Sequence, residues 1–208
     1  MKIIKAGYEI LTPIVKDDIL KYLEIAGRTC YKSEDKITET SASDFVRRLV
    51  KAGHEAMIEH YNMTVKFICD RGVSHEIVRH RIASYGQEST RYVNYSKGKF
   101  GNEITVIEPL FYEEGTDNYK LWYESMIHAE KSYMALIANG STAQEARAVL
   151  PNSLKTEIVM TANMREWRHF FKLRTASAAH PQMREITRPL LVELKEKLPE
   201  LFEDIEII

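Results

Sequence analysis

Cysteine is scarce in this chain, with two among 208 residues. Cys30 and Cys69 could form one disulfide, but they cannot make a disulfide-built scaffold. No Cys-x-x-Cys and no His-Glu-x-x-His occurs, so the strong zinc patterns are missing. His54 and His60 stand six apart and His75 and His80 five apart, which is not the spacing of metal ligands on one helical face. Neither a Gly-x-Gly-x-x-Gly nor a P-loop is present, so any dinucleotide needs an unconventional site. No Gly-x-Ser-x-Gly elbow offers a nucleophilic serine. No apolar run approaches the roughly 18 residues of a membrane helix. Met1 to Lys5 lacks the apolar stretch of a signal peptide, and the expected compartment is the cytoplasm. The 29 Lys and Arg against 30 Asp and Glu leave a net charge of -1, so no global field attracts nucleic acid. Six Pro and nine Gly form no linker, and no repeat or low-complexity stretch is found.

What remains reads as one α/β domain over residues 1–208, long enough to bury a sizeable core. Ile3 to Ile4 and Tyr8 to Ile10 suggest short strands, and Asp17 to Cys30 a helix with Ile19, Leu20, Leu23 and Ala26 on one side. Ser41 with Asp44 has the capping-box spacing for a second helix, which Gly53 ends. Asn62 to Cys69 alternates as a strand should, and Ser74 is placed to cap a short helix reaching about Arg81. Ile104 to Ile107 is a strand and Asn118 to Asn139 the longest helix. Thr142 with Glu145 opens a helix that Pro151 terminates. Thr156 to Thr161 is read as a strand, Met164 to Arg174 as a helix, and Pro181 to Leu198 as a helix that Pro189 should kink or split.

The chemistry concentrates in two arginine-rich segments, Arg71 to Arg91 and Arg165 to Arg174, whose balancing acids lie mostly elsewhere. Arg79-His80-Arg81, then Ser89, Arg91 and Tyr92, combine guanidinium groups, hydroxyls and an aromatic ring. That mixture suits a ligand with phosphates and a flat ring. On a helix to Arg81, Glu76 would share a face with Arg79 and His80. The plainer alternative is a solvated helix end with basic residues at its carbonyl terminus. Arg174 extends the stripe of Trp167, Phe170 and Phe171, where Leu or Ala would be usual. A cation there needs an anion or a pocket; a structural ion pair or a snorkelling side chain are the alternatives. Arg165 and His169, four apart on the opposite side, could face a ligand together. Taken alone, Arg147 reads as an exposed helix residue, His54 as an ordinary helix-end residue, and Ser89 as a hydrogen-bonding hydroxyl rather than a nucleophile.

Arg79-His80-Arg81, seven residues and then Ser89, resembles the signature of the flavin-dependent thymidylate synthases. Gly53-His54-Glu55 with His60, Arg147 to Pro151, and Asn163, Arg165 and Leu173-Arg174 are similar to further segments of that family. The resemblance implies an α/β fold of the α+β kind, with a central, mostly antiparallel sheet flanked by helices, assembled as a homotetramer whose sites are shared between subunits. It implies reductive methylation of dUMP to dTMP. FAD would be the cofactor, with NADPH as reductant and methylenetetrahydrofolate as carbon donor, and tetrahydrofolate would be released. By position, Ala56, Arg79, His80, Arg81, Gln87, Asn163, Arg165 and His169 would hold FAD. Glu76, Arg79, Gln87, Glu88, Ser89, Arg91, Arg147 and Arg174 would bind dUMP. Arg174, against the uracil ring, and His54, near flavin and folate, would be catalytic, and no metal is implied. Glu76, Gly86 and His169 depart from the residues common there (Gln, Asn and Asn), and a carboxylate at 76 would repel a phosphate. The competing readings are a nucleic-acid-binding module, a metal-dependent nucleotide phosphohydrolase and a nucleotide-binding regulator without catalysis.

Overall fold

The computed structural model describes residues 1–207, the side chain of Lys99 excepted. Its strands are β1 (Lys2–Ile4), β2 (Gly7–Ile10), β3 (Asn62–Asp70), β4 (Ser84–Gln87), β5 (Thr105–Ile107) and β6 (Lys155–Asn163). Its α-helices are α1 (Lys16–Thr29), α2 (Ser41–Lys51), α3 (Arg71–Ile77), α4 (Asp117–Ala138), α5 (Ala143–Ala146), α6 (Met164–Arg174), α7 (Pro181–Lys197) and α8 (Pro199–Phe202). Short 3-10 turns cover Glu55–His60 and Arg147–Val149. Strands β2, β3, β6 and β4 pair in that order in an antiparallel sheet. β1 and β5 pair in parallel as a separate ribbon, Lys2 opposite Thr105 and Ile4 opposite Ile107.

Local chemistry accounts for most of these boundaries. β3 alternates as its sequence does, with Met63, Val65, Phe67 and Cys69 buried. α1 carries Asp17 and Asp18 in its first turn and Arg28 in its last, each sign matched to the helix dipole. The Thr142–Glu145 capping box forms, with the Thr142 N–H donating to Glu145 Oε2 at 2.8 Å. Gly53 follows α2 at φ +73, the left-handed conformation that a residue without Cβ adopts readily.

Several local expectations fail. The helix after β3 is capped by Asp70, whose carboxylate accepts the Val73 N–H at 2.7 Å; Ser74 sits inside it and donates to the Arg71 carbonyl. A helix that starts earlier also ends earlier, at Ile77. Arg79, His80 and Arg81 therefore lie beyond it, and Glu76 shares no helical face with them. Ser41 is the first residue of α2 rather than its cap, and its hydroxyl donates to Glu24 Oε2 at 2.8 Å. α7 continues through Pro189 without a split. β4 went unread because Ser-Tyr-Gly-Gln shows no apolar alternation.

The residues group into two compact units. One comprises Met1–Gly7, Phe67–Arg79 and Gly86–Val159. Its core gathers Tyr95, Ile104, Val106, Met126, Tyr133, Ala146 and Leu154, against which Trp122 and Leu136 of α4 pack. The other comprises Tyr8–Lys66, His80–Tyr85 and the residues from Met160 onward. There Trp167 stacks on Phe171 at 5.8 Å, Phe171 meets Phe202 edge to face, and Trp167 Nε1 donates to the Met63 carbonyl at 3.0 Å. Each of these rings is fully buried, worth about 1.5–3 kcal/mol apiece.

One buried cation ties this second unit together. Arg168, 1% exposed, gives Nε to Glu55 Oε1 at 2.9 Å and both Nη atoms to the Asp204 carboxylate at 2.7 Å. It also donates to the Leu201 carbonyl. The acids that answer this arginine thus come from distant sequence, Asp204 from the C-terminal stretch and Glu55 from before β3. Arg168→Ala should destabilise the protein by about 3 kcal/mol, the low end for breaking a buried pair because Asp204 is half exposed. The check is a lower denaturant midpoint at unchanged slope. The bond from Arg168 also holds the Asp204 carboxyl below its ordinary 3.8. A carboxyl shifted down by folding stabilises above its unfolded value and loses that contribution as pH falls. Wild-type stability should therefore decline below about pH 4, and Arg168→Ala should lack that part of the decline.

Candidate functional site

In the first unit, β4 delivers Gln87, whose Nε2 donates to Ser74 Oγ at 2.8 Å and Thr156 Oγ1 at 3.3 Å. One residue on, the Glu88 N–H donates to the Glu157 carbonyl at 2.9 Å. Lys155 bridges the Glu88 and Glu157 carboxylates at 3.0 and 2.6 Å. Burial alone would lower the Lys155 ammonium, but these two bonds outweigh it and hold it above its ordinary value. The chain then turns at Ser89, whose Oγ accepts the Arg91 N–H at 3.3 Å and whose carbonyl accepts the Tyr92 and Val93 N–H groups. Arg91 is exposed and lies over the Tyr92 ring at 5.5 Å. Arg147, also exposed, donates to Thr90 Oγ1 at 3.4 Å. A hydroxyl turn with two guanidinium groups beside it is suited to a phosphate. Glu76, half-buried, and Arg79, exposed, belong to this unit at and just beyond the end of α3.

In the second unit, Asn163, Arg165 and His169 line one cleft of about 490 Å³ with Ile82, Glu55, Glu59, Glu166 and Lys172. Helix α6 builds one wall. Asn163 is its N-cap, with Oδ1 accepting the Glu166 N–H at 2.9 Å, so the side chain's amide nitrogen is not used by the cap. Arg165 is paired with Glu59 at 2.6 Å. Two cations, an amide, an imidazole and an apolar Ile82 in one cleft form a donor set that fits a phosphate-bearing ligand with an aromatic ring.

Behind this wall lies a buried polar knot. His80, 4% exposed, packs edge-on against Phe170 at 4.8 Å and His169 at 5.5 Å. Its Nδ1 is 3.0 Å from Glu166 Oε1, and its Nε2 accepts the Nε–H of Arg174 at 3.0 Å. His80, Glu166 and His169 are the one grouping of three His, Cys, Asp or Glu donors with metal-like spacing among the described residues. Its geometry does not suit a cation, because the Arg174 guanidinium occupies His80 Nε2. Burial, aided by the Arg174 charge, pushes the His80 imidazole below 6.5 despite the bond to Glu166. Arg174 is half-buried, so its place on the aromatic stripe is real, and an imidazole is among its partners. Burial also pushes the Tyr85 phenol, whose hydroxyl donates to the His80 carbonyl, up to about 12.

The remaining candidates are placed less tightly. His54 and Ala56 are exposed on the chain after α2. His54 lines a different cleft with Arg28, Tyr31 and Arg48, not the one holding Asn163. Arg81 is exposed beside buried His80. Glu59, Ile82, Lys155, Glu166 and Lys172 were not singled out from the sequence, and Glu55 entered only as part of Gly53-His54-Glu55. Glu166 alone carries a local signal, as an acid in the first turn after an Asn cap.

A His whose folded pKa is depressed stabilises above its unfolded value and loses that contribution as pH falls. Wild-type melting temperature should therefore drop below pH 6.5, the ordinary imidazole value, more steeply than that of His80→Gln. Thermal melts in a series of buffers check this.

A family model described as thymidylate synthase complementing protein matches residues 15–200. The flavin-dependent thymidylate synthase of Corynebacterium aurimucosum is 35% identical over 203 residues, covering 89% of this chain and 79% of that protein. That of Geobacter sulfurreducens is 33% identical over 188 residues, covering 86% and 79%. Among solved structures, thymidylate synthase X of Helicobacter pylori, determined with FAD and dUMP, superposes with a TM-score of 0.76 at 23% identity, covering 96% of this chain and 98% of that one. A UMP/dUMP methylase, PolB of Streptomyces cacaoi, bound with 5-Br dUMP, gives 0.78 at 22%, covering 98% and 96%. At those identities the structural likeness concerns the fold. The family model and the sequence relatives each span most of the chain, and the chain belongs to the flavin-dependent thymidylate synthase family.

Proposed function

We propose that the protein converts dUMP to dTMP in the cytoplasm, using methylenetetrahydrofolate as carbon donor and NADPH as reductant, and releases tetrahydrofolate. The observation that supports this reading is the cleft of the second unit, which Asn163, Arg165 and His169 line together. FAD fits that donor set: Arg165 and Lys172 supply charge for its phosphates, while Asn163 and His169 supply donors for a ring. Ala56, Arg79, His80, Arg81 and Gln87 are assigned to the same cofactor. Bound FAD supplies the hydride chemistry. Residues 1–208 act as one functional domain, in a homotetramer whose sites are shared between subunits.

The protein's own residues bind, orient and stabilise. Gln87, Glu88, Ser89, Arg91 and Arg147 are assigned to dUMP, with Arg91 on its phosphate. Glu76 and Arg79 are assigned there too, and the Glu76 carboxylate must stand off the phosphate. Lys155 offsets the charge of Glu88, which lets a carboxylate lie in a site for an anion. Methylation at C5 requires the uracil to carry negative charge along its N3 and carbonyl edge. A fixed guanidinium at Arg174 stabilises that charge as it develops, in a setting with little water. Ser89, committed to its turn, binds rather than attacks. His54 is assigned to the folate side. Holding the reactants in register can itself lower the barrier by roughly 7–11 kcal/mol.

Tritium release from C5-labelled dUMP, with FAD, NADPH and methylenetetrahydrofolate present, should be brisk. Loaded protein should absorb near 450 nm, about the usual flavin band. A preparation that cannot be loaded with flavin, or that releases tritium from UMP and not from dUMP, would defeat the assignment. Arg174→Ala should lower turnover by about 100-fold or more, as expected when a donor to developing charge is removed, while retaining most of its flavin. Near-normal turnover would refute the role of Arg174.

A further inference from the structure

The bond between Arg174 Nε and His80 Nε2 fixes a proton. Arginine cannot accept a hydrogen bond, so Nε–H is the donor and His80 Nε2 must carry a lone pair. The ring's one N–H is then on Nδ1, 3.0 Å from Glu166 Oε1, which accepts it. An imidazolium could not replace this arrangement, because it would set an N–H against an N–H and a cation against a cation. The carboxylate of Glu166, 8% exposed, thus selects the less common of the two neutral tautomers. That choice in turn presents a lone pair to Arg174. The guanidinium is gripped by its Nε edge, so the grip does not consume its Nη edge. The other end of the residue is held as well, since the Thr187 hydroxyl lies 2.9 Å from the Arg174 carbonyl.

We propose that Glu166 is a positioning residue for Arg174, acting through His80. The carboxylate orders the imidazole, and the imidazole aims the guanidinium. This inference rests on the function proposed above for Arg174 and adds two residues to it. Glu166, His80 and Arg174 are spaced so that no short motif connects them. Phe170 and His169 pack against the ring edge and restrain the imidazole, while Tyr85 holds the backbone through the His80 carbonyl.

The test uses full-length wild type, Glu166→Ala and Glu166→Gln. In flavin-free protein carrying 15N-labelled histidine, His80 of the wild type should show a protonated Nδ1 and an unprotonated Nε2, and Glu166→Ala should lose that preference. With saturating FAD and dUMP, Glu166→Ala should lower kcat by about 10- to 100-fold, the scale of a misaimed catalytic group. The KM for dUMP and the flavin affinity should change only a few-fold. Loss of a carboxylate from a cleft for an anionic cofactor offsets what disorder of His80 costs in retention, and kcat is read per bound flavin. Glu166→Gln, whose amide oxygen can accept the same N–H, should recover most of the loss. A wild-type His80 protonated at Nε2, an unchanged kcat in Glu166→Ala, or a loss that merely follows flavin occupancy would each overturn the proposal. If Glu166→Ala does not fold, the wild-type tautomer and the Glu166→Gln turnover decide. A wild type without turnover defeats the proposed function instead, and the tautomer measurement stands apart from that outcome.

Discussion

Burying the Arg168 guanidinium is the constraint on which the second unit depends. A permanent cation at 1% exposure is tolerable only if every edge of its fork is answered. The answers come from Glu55 in the 3-10 turn before β3, from Asp204 near the end of the described chain, and from a carbonyl of α8. Two stretches far apart in sequence, the turn at Glu55 and the segment Leu201 to Asp204, are thereby held to one helix, α6. The same Glu55 lines the cleft that Arg165 and His169 face from the outer side of α6. The inward arginine fixes the helix and the outward residues inherit its register, so stability and site geometry share a cause.

Charge in this region is paired rather than massed. Arg165 meets Glu59, Arg168 meets Glu55 and Asp204, and Arg174 meets a neutral imidazole. These differences decide what each cation can do. The first is on the surface and can exchange its partner for an anionic ligand at little cost. The second is buried, bidentate and structural. The third donates to an imidazole with no charge of its own, so that bond orients the guanidinium without neutralising it.

Much of this was legible in the sequence, for identifiable reasons. β3, α1 and α4 were readable from their periods, and β5 and α4 also from the Pro, Asn or Gly that ends them, whereas β6 was told from a helix only by its β-branched residues. The position of Arg174 on the stripe of Trp167, Phe170 and Phe171 was readable from spacing alone. The caps at Asp70 and Thr40 were not, because Ser74 and Ser41 offered equally good chemistry one turn or one residue away. That error carried the helix too far and gave Arg79-His80-Arg81 a helical face they lack. β4 was invisible because its pairing, not its side chains, makes it a strand. The Glu166–His80–Arg174 chain was unreadable for a different reason. It joins positions 86 and 94 residues apart, and no periodicity reports such contacts.

β4 gives the signature its ruler. Four of the seven residues separating Arg81 from Ser89 lie in this strand. Along a strand, side chains alternate between faces, so a one-residue insertion reverses every position after it. Gln87 would swing away from Ser74 and Thr156, and the turn at Ser89 would start from the wrong side. Substitution at the exposed Ser84 or Gly86 changes a surface, whereas a change of length changes an orientation. Over evolutionary drift the outward letters of this stretch, Ser84 and Gly86, can vary far more freely than its count.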